Sequence, residues 1–166
     1  EYNSANFIIY LLNSTGIQNI PIIQNIGPSI GHSFLKSASN QKKVALTSYT
    51  FTSVVFDFDN SSGILINPLS LTTFSTISNS AICSEFSADC SKIYFSHGLM
   101  GLNTVNYIEQ YDLCAGSNIN IQNSLYTFTC GASIAGMQLA PNGKIYTARN
   151  SQNFLGVINN PNGAGS

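Results

Sequence analysis

Three segments of this chain superpose on one another with a period near fifty residues, and no other feature restricts the fold so severely. They are Leu35-KSASNQKKVALTS, Phe86-SADCSKIYFS and Leu139-APNGKIYTA. Each reads as the end of an apolar strand, a tight polar turn, a lysine and a second apolar strand. The aligned lysines are Lys43, Lys92 and Lys144, spaced by 49 and 52 residues. Before them stand Asn40, Asp89 and Asn142, residue types that bond their own turn and tolerate left-handed backbone.

A second signature follows each lysine: Val55-FDFDNSSG, Glu109-QYDLCAG and Gly156-VINNPNG. Asp59 to Gly63, Asp112 to Gly116 and Asn159 to Gly163 are each four residues apart. Alternating apolar residues leading into Asp or Asn and then Gly describe a strand entering a hairpin with a left-handed glycine. Phe7-IIYLLNSTG fits this second signature alone, so the N-terminal stretch reads as the later half of a preceding repeat.

A four-stranded unit recurring at this period predicts an all-β fold, a β-propeller of four-stranded antiparallel blades. No segment reads as a helix. A β-sandwich also has short strands and frequent turns, but it does not require two signatures to recur in register. The boundaries expected are a half blade over 1–32, blades over 33–79 and 80–135, and an incomplete blade over 136–166. About three blades fall short of the four to eight that close a propeller, so the expectation is a partial propeller or one part of an assembly.

The composition agrees with this and excludes other classes. Only 8% of residues are charged and the net charge is −1, which leaves no surplus of cations to neutralise phosphates and argues against nucleic acid. Asn, Ser and Thr make up 54 of the 166 residues, the polar turn and surface chemistry that many short strands need. The longest purely apolar run, Phe7 to Leu12, is far below the ~20 residues of a spanning helix.

The quoted strings, with Met137-QLAPNGKIYTAR and Leu155-GVINNPN the most specific, resemble the WD40-like propeller of large Bacteroidetes surface proteins exported by type IX secretion. That group includes gliding-motility-associated proteins and proteins with a type B sorting domain. The resemblance runs from about Phe7 to Asn162. It implies export, an extracellular or outer-membrane-associated location, and contact with the type IX machinery. Where the family turn commonly has Pro then Gly, this chain has Ser39 and Gln41, then Ala88 and Cys90; Pro141 and Gly143 keep the usual form.

The candidate chemistry is sparse. His32 and His97 are the only histidines, and neither lies near a nucleophile elbow. Asp57 and Asp59 could share a strand face as paired carboxylates, yet a repeated position that accepts Asn at 159 serves turn geometry better than acid–base work. Asp57, Asp59 and Asn60 offer oxygen ligands suited to calcium, although the spacing is not that of an EF-hand. Lys43, Lys92 and Lys144 could form a basic ring, or simply guard strand edges. Tyr49, Phe51, Tyr107 and Tyr126 could stack on sugars or pack between blades. Of four cysteines without zinc spacing, Cys83, Cys90, Cys114 and Cys130, the pair Cys114–Cys130 is the expected disulfide, with four free thiols the alternative.

The functional expectation is a non-catalytic module for recognition or display, binding a glycan or protein, with no cofactor. Its further partners would be the remaining blades of the parent chain or a partner subunit. Two alternatives stand beside it. One is a lyase- or lactonase-like propeller enzyme with a metal or histidine in the central channel. The other is a subunit of an extracellular fibre or surface layer.

Overall fold

A computed structural model of the chain describes residues 4–30, 33–48, 52–72, 81–97 and 106–165. The repeated turns explain the strands that flank them. In each, the Asn or Asp oxygen accepts the backbone N–H two residues on: Asn40 from Lys42 at 2.9 Å, Asp89 from Ser91 at 3.0 Å, Asn142 from Lys144 at 3.1 Å. The next residue takes positive φ, at Gln41 (59°), Cys90 (61°) and Gly143 (77°). The chain then reverses, closed by bonds from Ala38 N to Lys43 O, Ser87 N to Lys92 O and Ala140 N to Lys144 O.

These reversals build two four-stranded antiparallel sheets. The first contains β5 (Ser33–Ser37), β6 (Lys43–Ser48), β7 (Thr52–Asp59) and β8 (Ile64–Thr72), hydrogen-bonded in chain order. The second contains β9 (Ala81–Phe86), β10 (Lys92–His97), β11 (Asn106–Asp112) and β12 (Tyr126–Cys130), in the same order. A third sheet has three strands, β13 (Ile134–Leu139), β14 (Ile145–Arg149) and β15 (Leu155–Ile158). Ahead of them β1 (Ser4–Ile9) pairs with β4 (Ile22–Ile30), and β2 (Leu12–Asn13) with β3 (Gly16–Ile17) at the tip of the same hairpin. The fold is all-β, a partial β-propeller.

Period-two alternation decides which side chains meet between blades. Ile93, Phe95, Tyr111 and Leu113 of the second sheet bury against Ala45, Val55, Leu69 and Leu71 of the first. Tyr94 and Ile108, on the opposite face, bury against Ile134, Met137, Ile145 and Ile158 of the third. A fully buried aliphatic or aromatic side chain contributes ~1.5–3 kcal/mol, so these two seams hold the blades together. The first strands of the sheets converge: β9 packs against β5, β6 and β13.

The structure corrects three expectations. A helix, α1 (Asn118–Asn123), stands between β11 and β12 where a plain hairpin was expected. Ser117 caps it by accepting the Asn120 N–H, Ile121 reaches the core, and Gln122 donates to the Ser70 carbonyl of the preceding sheet. Six residues are too few for apolar periodicity to show, which is why the sequence concealed it. Gly63 and Gly116 have the left-handed φ expected, but in the third copy that conformation falls on Gly165 and not on Gly163. Finally, Cys114 and Cys130 are both free, because they lie at opposite ends of the β11–β12 pair. Cys130 is opposite Asn106, whereas Cys114 lies beyond Asp112, the far end of the strand, which is itself six residues and ~20 Å away at the usual rise.

Candidate functional site

The chain's few charges are the natural place to look for chemistry, and the fold gathers them at two points. The first is the ring of innermost strands. Glu85 of β9 is 2% exposed, and its carboxylate accepts the Phe86 N–H at 3.0 Å and the Leu139 N–H of β13 at 2.8 Å. Lys36 of β5 lies 2.6 Å from the same carboxylate and also donates to Gln138 of β13 at 3.3 Å. One acid therefore fastens the first strands of three sheets. With an ammonium and two backbone N–H donors on it, the carboxylate is already engaged as a structural clasp.

The second point lies in the seam between the first two sheets. His97 Nε2 is 3.1 Å from Glu109 Oε2, and both side chains are fully buried. Tyr111 donates its hydroxyl to the same oxygen at 3.3 Å, and the Tyr107 ring stacks on the imidazole with centroids 4.8 Å apart. Burial, reinforced by the Glu109 charge, pushes the Tyr107 phenol up to about 12 and also raises the Tyr111 phenol, so both stay protonated. Glu109 Oε1 and Ser53 Oγ are buried without a hydrogen-bond partner among the described residues. His32 lies outside the described residues, as do Tyr49 and Phe51.

The repeated lysines do not form a ring. Each crosses to the third strand of its own sheet: Lys43 to Asp57 at 2.6 Å, Lys92 to Asp112 at 3.1 Å, Lys144 to Asn159 at 2.8 Å. This shifts the alignment of the acids. Strand register places Lys43 opposite Asp57 and Lys92 opposite Asp112, so Asp57, not Asp59, is the counterpart of Asp112 and Asn159. Asp112 does two jobs, pairing with Lys92 and accepting the Cys114 N–H at 2.9 Å. In the first sheet these jobs are divided. Asp57 takes the lysine, while Asp59 accepts the backbone N–H and hydroxyl of Ser61 and the hydroxyl of Ser62. Partial burial raises the Asp57 carboxyl, but Lys43 and Asn67 outweigh it and hold the group below the ordinary value; the serine donors hold Asp59 down at about 2.

The calcium set does not assemble. Asp57 faces an ammonium, Asp59 faces its own serines, and the Asn60 amide donates to Gln41. Among the described residues no three His, Cys, Asp or Glu side chains gather as a metal site. Of the aromatics, Tyr107 is packed at 6% exposure, whereas Tyr126 stands open at 47%. Sequence reasoning missed Lys36, Glu85, Glu109 and Arg149. The signal for the two glutamates was present, since Glu85 is the one charge of its strand, AICSEF, and Glu109 sits mid-strand among apolar and neutral residues in NYIEQYD.

No family model and no curated protein sequence matches the chain. Solved structures do. A candidate 6-phosphogluconolactonase from Bacteroides uniformis superposes over 94% of this chain and 44% of its own, with a TM-score of 0.68 and 15% identity. A second such candidate, from Bacteroides fragilis, superposes over 92% of this chain and 50% of its own, with a TM-score of 0.59 and 14% identity. The PQQ domain of a pyranose dehydrogenase from Coprinopsis cinerea gives 86%, 38%, 0.55 and 14%. The chain thus spans about half the length, or less, of the structures it matches. At such identities the likeness establishes a propeller fold and nothing more specific.

Proposed function

We propose that this chain is a non-catalytic propeller module whose blades display loops for recognition or structural contact with a glycan or protein. The observation that carries this reading is how the acids are spent. Each of the six described carboxylates already has a structural partner: Asp57 with Lys43, Asp59 with Ser61, Glu85 with Lys36, Asp89 with Ser91, Glu109 with His97, and Asp112 with Lys92. An acid that holds a sheet together is a poor general acid or base, because moving its proton would cost the fold its clasp.

The resemblance noted in the sequence adds export through type IX secretion to the cell surface. Further blades, from the parent chain or a partner subunit, would cover the two outer faces. On one side these expose Ile8 and Ile23, and on the other Leu155 and Val157. The fibre or surface-layer reading uses the same faces, and a clean monomer in light scattering would count against it.

The buried His97–Glu109 pair and the lactonase-like neighbours favour a second reading, a propeller hydrolase. A lactone-hydrolysis assay on the purified protein, paired with a glycan array, separates the two. The module reading expects array binding and no turnover above the rate of the Glu109→Gln variant. Saturable hydrolysis abolished by Glu109→Gln would overturn it.

A further inference from the structure

The chain has five lysines and a single arginine, Arg149, and its surroundings differ from those of every lysine bound to an acid. All six described carboxylates are engaged elsewhere, and the seventh acid of the chain is Glu1. Among the described residues Arg149 has no carboxylate partner; its guanidinium lies over the Phe154 ring, 5.5 Å from the centroid. Arg149 ends β14 and shares a strand face with Ile145 and Thr147, so it points toward the second sheet.

There it edges a cleft of about 200 Å³ between β12 and the third sheet. Ile108, Phe128, Ile134 and Ile158 give the cleft an apolar floor, and Thr147 adds a hydroxyl. Two glycines keep it open. A Cβ on Gly156 would collide with the Thr147 hydroxyl, and one on Gly131 would come within 3.2 Å of Arg149 Nη2. Ser133, 7% exposed beside the Arg149 strand end, carries a buried Oγ without a hydrogen bond.

We propose that this cleft binds a small monocarboxylate with an apolar body, its carboxylate on the Arg149 guanidinium and its body on the isoleucine–phenylalanine floor. A planar fork of donors matches a carboxylate with two parallel bonds. One cation neutralises one negative charge and no more, which selects a monoanion over a phosphate dianion. The volume lies below the ~300–1,000 Å³ of drug-sized sites, so the occupant is one ring or a short aliphatic chain.

The test is a two-dimensional amide NMR titration of the intact chain with benzoate, with benzamide as its neutral counterpart and with inorganic phosphate. Benzoate should produce saturable shifts at Gly131, Arg149 and Gly156, with affinity at least tenfold above benzamide. Arg149→Gln should reduce benzoate to the benzamide level while amides of the first sheet keep their positions. If Arg149→Gln does not fold, Arg149→Lys keeps the charge without the fork and should weaken benzoate several-fold. Benzamide binding as well as benzoate, phosphate binding tighter than benzoate, or benzoate shifts unchanged in the arginine variants would each overturn the assignment.

Discussion

The three equivalent turns offer a sharp energetic test, because one backbone conformation is occupied by three residue types. Gln41, Cys90 and Gly143 all have φ between 59° and 77°. An L-residue held there costs ~1–2 kcal/mol, while glycine escapes that cost but loses ~0.5–1 kcal/mol more entropy on folding. The difference, ~0.5–1 kcal/mol in favour of glycine, should appear with opposite sign at the two ends of the molecule. A Cβ built on Gly143 meets nothing within 4 Å, so Gly143→Ala adds no clash and should destabilise by ~0.5–1 kcal/mol from conformation alone. Gln41→Gly gains the same amount and loses an exposed bond from Asn60, worth at most ~0.5 kcal/mol, for a net gain near 0.5. At this chain length those energies become a rise in Tm of ~1–2 °C for Gln41→Gly and a fall of ~1–4 °C for Gly143→Ala. Cys90→Gly should sit within ~0.5 kcal/mol of the parent, since the relief is offset by losing a thiol that is 93% buried in the core. Urea and thermal unfolding followed by circular dichroism provide the measurement. If Gln41→Gly and Gly143→Ala shift stability in the same direction, the left-handed backbone is not what governs these turns.

Four further outcomes follow from the side chains. Truncating His97 to Ala removes a buried partner of Glu109 and leaves the Tyr111 hydroxyl as the remaining donor, and should cost ~1–3 kcal/mol in urea unfolding. Lys92→Met should cost more than Lys43→Met, whose ~0–1 kcal/mol reflects a pair roughly a third exposed, whereas Lys92 is 9% exposed. The Asp59 carboxyl titrates at about 2 in the folded chain against 3.8 ordinarily, so its contribution is complete above pH 3.8 and is lost as pH falls through 2; Asp59→Asn should flatten that part of an acid-unfolding profile. A thiol assay should find four free cysteines after denaturation, with Cys114 modified first in the native protein because it alone is exposed; a count of two would restore a disulfide.

What the sequence made legible was whatever repeats. The lysine-led strands and the Asx turns recur in three copies, and their hydrogen bonds superpose atom for atom at Asn40, Asp89 and Asn142. What it concealed was whatever occurs once. The helix at 118–123 has no counterpart in the other sheets, and Glu85, Glu109 and Arg149 have no repeat partners to draw the eye. The misplaced Asp59 shows the same limit from within. Counting back from Gly63 equates it with Asp112, but β7 runs on to Asp59, two residues past its lysine pair, whereas β11 ends at the lysine-paired Asp112, so the glycine count is out of step by two.

The division of labour between Asp57 and Asp59 has a consequence for how such a chain can diverge. In the second sheet a single residue, Asp112, both pairs with the lysine and caps the turn, so any change there costs two interactions. In the first sheet each acid holds one, and either can drift while the other keeps its task. In the third, Asn159 accepts the lysine through a neutral amide, and the ion pair has been reduced to a hydrogen bond. At the lysine-facing position the three copies thus carry a carboxylate twice, at Asp57 and Asp112, and an amide once, at Asn159. This is how a chain with 8% charged residues keeps its strands in register: the geometry is carried by hydrogen bonds that Asn, Ser and Gln supply as well as Asp does. Against that background Arg149, which has no carboxylate partner among the described residues, is notable for standing at the edge of an apolar cleft.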